Sequence, residues 1–191
     1  MEVKMGIHTD IYREINLSLI DQGKYSIKLF KGDEEIKLKK AVSVREEFYL
    51  GKNVWAINEW FYQYFLKEYG RNMRKEISYE FIDDEYICID DLRDLLYKIK
   101  NVLKHPEKSE EILPLPKSLI LCQPKEGTYE NEGDLCIITA DTKWKHLSRK
   151  EMYDEYYFGS LKFAERLLER IVSEDDKNNT ELHYDYIVSV G

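Results

Sequence analysis

Carboxylates are the most numerous chemistry-bearing side chains, and several stand side by side: Asp83-Asp84-Glu85, Asp90-Asp91, Asp154-Glu155 and Glu174-Asp175-Asp176. Carboxylates that converge in space could hold a hard cation for hydrolysis. Adjacency in sequence does not provide that convergence. The first and last of these runs read as turns, and the second as the cap of a helix. The third opens a helix ahead of Tyr156-Tyr157-Phe158, where negative charge is favoured by the helix dipole. The histidines are His8, His105, His146 and His183. None has a second histidine three or four residues away, so no helix presents a paired imidazole site. His105 reads as a partner for the end of a helix, and His146 as a surface or loop residue. The cysteines, Cys88, Cys122 and Cys136, lie in apolar runs without a Cys-x-x-Cys spacing, and the expectation is buried thiols.

Phosphate-cradling glycine loops and the Gly-x-Ser-x-Gly elbow do not occur. Gly159-Ser160 falls inside a helical pattern, with no strained turn to present the hydroxyl. These observations argue for a protein that works by binding, with no cofactor and no metal, rather than by a recognisable catalytic cycle.

Two binding surfaces follow from residue type. The chain carries 37 acidic against 29 basic residues, for a net charge of −8, and is rich in tyrosine, with 15. That balance argues against broad nucleic-acid binding and suits a basic partner. Tyrosine suits half-buried surfaces and interfaces, although strands favour it too. The candidate partner-binding residues are therefore Asp83, Asp84, Glu85, Tyr153, Asp154, Glu155 and Tyr156. An alternative is a nucleotide site, either sequestering or hydrolytic. Trp55 and Trp60 would stack a base there, and Lys143, Lys145, His146 and Arg149 would hold phosphate. For the tryptophans the simpler reading is core packing. Self-assembly without a ligand is a third reading.

The elements that must position these residues can be read from periodicity. Ile11, Arg13, Ile15, Leu17 and Leu19 alternate with polar residues, then Tyr25, Ile27 and Leu29 do so after a turn at Gln22-Gly23, which is a β-meander pattern. From Val54 the period becomes helical through Ile57, Phe61, Tyr64 and Phe65, with Gly70 as a stop. Short strands are expected at Ile77 to Ile82 and Tyr86 to Ile89 around the acidic turn. Asp90 caps a helix whose stripe is Leu92, Leu95, Leu96, Ile99, Val102 and Leu103, ending at His105-Pro106. A short helix over Glu107 to Ile112 and a stiff Leu113-Pro114-Leu115-Pro116 connector follow. Ser118 to Cys122 and Leu135 to Ala140 suggest a hairpin with a long loop. Ser148 and Glu151 make a capping box for a helix carrying Tyr157, Leu161, Ala164, Leu168 and Ile171. It ends at a polar loop, Ser173 to Thr180, before a strand from Leu182 to Val190. The result is one α+β domain, 1–191, with a mostly antiparallel sheet covered by about three long helices.

The order of these motifs resembles a family of small uncharacterised bacteriophage and mobile-element proteins. The motifs are Gly6-Ile7-His8-Thr9-Asp10-Ile11-Tyr12, Val54 to Phe61 ending in Trp-Phe, the helix from Asp90 to Lys104, Glu111-Ile112-Leu113-Pro114, and Tyr153-Asp154-Glu155-Tyr156-Tyr157-Phe158. The resemblance covers most of the chain after Val54. It departs from the family pattern at Lys117 to Lys145, where a longer hairpin replaces an aromatic-glycine stretch. It implies a phage-type accessory protein, and with the acidic charge it suggests an inhibitor of a host protein or of a nucleic-acid-handling defence complex. No signal peptide precedes Gly6 and no apolar run reaches the length of a membrane span, so the expected place is the cytoplasm of a bacterial host.

Overall fold

The computed structural model describes residues 7–16, 29–31, 34–36, 43–69, 81–116, 135–138, 144–147, 149–182 and 184–191. Period-two alternation makes β1 (His8–Asn16) a strand whose Thr9, Ile11 and Arg13 point inward. It pairs antiparallel with β4 (Ser43–Lys52) on one side and with β8 (Tyr184–Val190) on the other. The edge strand β5 (Ile82–Ile87) joins the far side of β8, giving the order β4-β1-β8-β5. The last strand thus lies inside the sheet beside the first, and register sets Ile11 between Phe48 and Val188. The strands β2 (Leu29–Lys31) and β3 (Glu34–Ile36) pair with each other as a separate ladder. The N-terminal third is β-rich as its alternation requires. Its first strand, however, finds its partners later in the chain. Residues 17–28, with part of the expected meander, lie outside the described residues.

Three long helices cover the inner face: α1 (Trp55–Tyr69), α2 (Ile89–Lys104) and, after a short α3 (Ser109–Ile112), α4 (Glu155–Leu182). Their stripes meet the sheet in one apolar core that includes Phe48, Phe61, Phe65, Leu95, Ile99, Leu161 and Val188. The architecture is α+β. No helix among the described residues is long and apolar enough to cross a membrane.

Several boundaries differ from the sequence expectation, each for a local reason. Asp83-Asp84-Glu85 is not a turn. It lies within β5, where Asp84 takes φ +43° and the register with β8 shifts between Ile82 and Glu85. A bulge absorbs the one extra residue. Asp90 is not the cap of α2; Cys88 occupies that position without a side-chain bond, and Asp90 pairs with Arg93. Cys88 is also exposed, contrary to the expected buried thiol. Helix α4 begins at Glu155 rather than at a Ser148–Glu151 box. Glu151 belongs to a 3-10 turn, Arg149–Met152, and Ser148 lies outside the described residues. The same helix continues through Ser173 to Thr180, which reads as a loop in sequence. Its carboxylates there are held by cations: Glu174 by Arg170 at 2.9 Å, and Asp176 by Arg93.

The strand β6 (Leu135–Ile138) pairs with β7 (Trp144–Leu147). Ser118 to Cys122, expected as its partner, lies outside the described residues.

Candidate docking groove

Helices α2 and α4 run antiparallel, and ion pairs close the upper part of their seam. Arg93 pairs with Asp176, and Lys100 with Glu169 at 2.6 Å. Seven residues separate the paired positions on each helix, so the two pairs stand two turns apart on both. Beyond Lys100 the seam opens into a groove of about 590 Å³. That is within the roughly 300–1,000 Å³ range of ligand sites. Leu103 and Pro106 form one wall, and Phe158, Gly159 and Lys162 of α4 the other. Tyr153, Asp154 and Glu155 close the end.

The floor is held rigidly from below. Asp154 accepts a hydrogen bond from the Tyr157 backbone N–H at 3.0 Å, which caps α4. Tyr157 is buried and donates its phenol to the Leu113 carbonyl at 2.9 Å. Burial pushes that phenol's pKa well above its ordinary value, so it stays protonated as a donor. Tyr153 accepts from the Leu115 N–H at 3.3 Å and meets the Tyr157 ring edge-on at 4.9 Å. Phe158 meets Tyr157 edge-on at 5.0 Å. The Leu113-Pro114-Leu115-Pro116 connector is therefore the shelf on which these aromatic rings rest, with Leu113 and Leu115 buried.

Of the partner-binding residues expected from sequence, Tyr153, Asp154 and Glu155 come together at the groove. Tyr156 points elsewhere: the residue is 57% exposed and its hydroxyl donates to the Lys52 carbonyl at 2.5 Å. Asp83, Asp84 and Glu85 lie on the edge strand. There Asp84 pairs at 3.0 Å with Arg45, whose guanidinium also covers the Tyr12 ring at 5.0 Å. Part of that acidic cluster's charge is therefore compensated internally.

The alternative ligand residues are spread over several elements. Trp55 and Trp60 belong to α1 and pack against the core, where Trp60 stacks on Tyr64 at 5.6 Å. Tyr64 in turn donates to Asp91 of α2 at 3.0 Å. Lys145 and His146 are in β7, paired in register with Ile137 and Cys136, and Arg149 opens the 3-10 turn. Lys143 lies outside the described residues. Among the described residues no group of three His, Cys, Asp or Glu side chains could hold a metal ion.

Sequence reading missed Leu103, Pro106, Phe158, Gly159 and Lys162 as a surface. Leu103 and Pro106 were legible only as the end of a stripe and its stop. Their convergence with α4 depends on helix register.

Comparison with protein families, with curated proteins and with solved structures finds no match to this chain. The phage-type resemblance therefore rests on motif order alone.

Proposed function

We propose that this protein is a non-enzymatic binding protein that captures a basic partner protein through the groove between α2 and α4. The groove itself carries the reading: a lining with the aromatic rings of Tyr153 and Phe158, both packed on the hydrogen-bonded Tyr157, with Asp154 and Glu155 on its lip. A pre-organised floor reduces the ordering cost of association. Aromatic anchors supply most of the energy at interfaces, while exposed acidic groups speed the capture of positive surfaces. The chain's net charge of −8 favours the same class of partner. In keeping with the motif order, the partner is a host protein or ribonucleoprotein of a bacterium, and the protein acts as a phage-type inhibitor.

The test is a tagged pull-down from a bacterial lysate with three proteins: native, Asp154→Asn/Glu155→Gln, and Asp83→Lys/Glu85→Lys. Asparagine keeps the cap, so the first double variant removes charge without loosening α4. One stoichiometric basic protein that is captured by native protein, lost with the groove variant and kept with the β5 variant is the expected result. Loss with the β5 variant alone would move the site to the sheet edge. A released nucleotide in place of a protein would favour the small-ligand reading.

A further inference from the structure

Two glycines lie near the functional elements, and the fold requires only one of them. Gly51, where β4 ends, takes φ +140°, and a Cβ there would stand 2.9 Å from Val54 Cγ1. Gly159 has no such reason. It sits in the second turn of α4, exposed, and a Cβ would meet no heavy atom of the described residues within 4 Å. Glycine is the poorest helix former after proline, so nothing in the isolated chain favours it at this position. What it does is lower the α4 wall of the groove between Phe158 and Lys162, opposite Leu103.

Resting on the groove reading above, we propose that Gly159 is a specificity-determining position. It leaves room for an aliphatic side chain of a basic, extended partner segment to lie directly on the α4 backbone. Close approach of another backbone or ligand is a recurring use of glycine. From Phe158 onward the helix amides are committed to carbonyls four residues back, as the Phe158 N–H is to Asp154 at 3.1 Å, so the contact at Gly159 is apolar. The flanking Lys or Arg of the segment pairs with Asp154 and Glu155. Lys162, about 10 Å further along the helix axis, marks where the acidic lip ends.

The probe is an acetylated, amidated hexapeptide, Ala-Arg-Leu-Leu-Arg-Ala, with a second in which both arginines are replaced by glutamate. The readout is the Gly159 amide signal in nitrogen–proton correlation spectra, one of nine glycine signals and assigned by its loss in Gly159→Ala. The arginine peptide should shift this signal saturably, and the glutamate peptide should not. Gly159→Leu should weaken binding about tenfold or more, as expected for blocking the centre of an interface. Lys162→Glu should tighten it. Thermal melts of Gly159→Leu and of the smaller Gly159→Ala should show no loss of stability, which separates blocking from misfolding. An unmoved Gly159 signal, equal shifts with both peptides, or native-like binding by Gly159→Leu would overturn the proposal. If the pull-down partner depends on Asp154 and Glu155 but is retained by Gly159→Leu, the groove function stands and the role of Gly159 falls.

Discussion

Tyr186 donates its phenolic hydrogen to Asp175 across 2.9 Å in the protein interior, tying the last strand to the last long helix. Asp175 is 5% exposed and also accepts from Arg93 at 3.3 Å, so one carboxylate joins β8, α4 and α2. Burial, and then the carboxylate beside it, pushes the Tyr186 pKa far up. Tyr186→Phe should cost about 1–2 kcal/mol, because it leaves a buried acceptor short of a partner. Asp175→Ala should cost about 1–3 kcal/mol by leaving the buried Tyr186 phenol without its acceptor, since Arg93 keeps Asp90 and Asp176. The double variant should cost less than the two added together. Urea unfolding midpoints measure all three, and strict additivity would show that the residues act independently.

Glu174 sets a pH dependence. Hydrogen bonds from Arg170, and from Arg13 at 2.8 Å, hold its carboxyl below the ordinary value of 4.5. A carboxylate with a depressed folded-state pKa contributes stability that is complete above its unfolded value and is lost as pH falls through the folded one. The fall in melting temperature below pH 4.5 should therefore be shallower in Glu174→Gln than in native protein. Parallel curves would exclude Glu174 as a contributor.

Asp10 works in the opposite sense. Burial, and then Glu47, raises its pKa, and its Oδ1 is buried without a hydrogen-bond partner among the described residues. Its charged form is disfavoured in the folded state, so the penalty is felt at neutral pH and disappears as pH falls through the raised value. Asp10→Asn should stabilise the protein at pH 7 by about 0.5 kcal/mol, and the gain should vanish in acid. Calorimetric melts at the two pH values decide it. A stability loss at pH 7 would show that the charge is needed.

Gly51→Ala should destabilise by more than about 1 kcal/mol, because φ +140° disfavours any side chain and Val54 blocks the Cβ. The fault would fall at the junction of β4 with α1. There the Asn53 amide N–H donates to the Ile7 carbonyl at 2.8 Å, and the Ile7 amide N–H donates to Asn53 Oδ1 at 3.0 Å. A chemical denaturation curve matching that of native protein would refute the steric argument.

The sequence by itself determined the α+β class, the three long helices and the strand alternation, because these follow from local periodicity. The alternation also sets Arg13 on the same face as Ile11, although its partners Glu46 and Glu174 and its 4.5 Å contact with the Tyr184 ring leave no trace in it. Tertiary structure decided what local pattern cannot carry. Glu174-Asp175-Asp176 reads as a turn because it lies in a polar run, yet it is helical, with Arg13 of β1, Arg93 of α2 and Arg170 one turn earlier in α4 converging on its carboxylates. The acidic run at Asp84 also reads as a turn, yet pairing with β8 on either side of it, at Ile82 and Glu85, carries it along the strand as a bulge. The groove depends on the antiparallel register of α2 and α4, which brings Leu103 opposite Phe158 and Gly159. That register is set by ion pairs and core contacts between residues far apart in the chain, and it leaves no periodic trace in either helix.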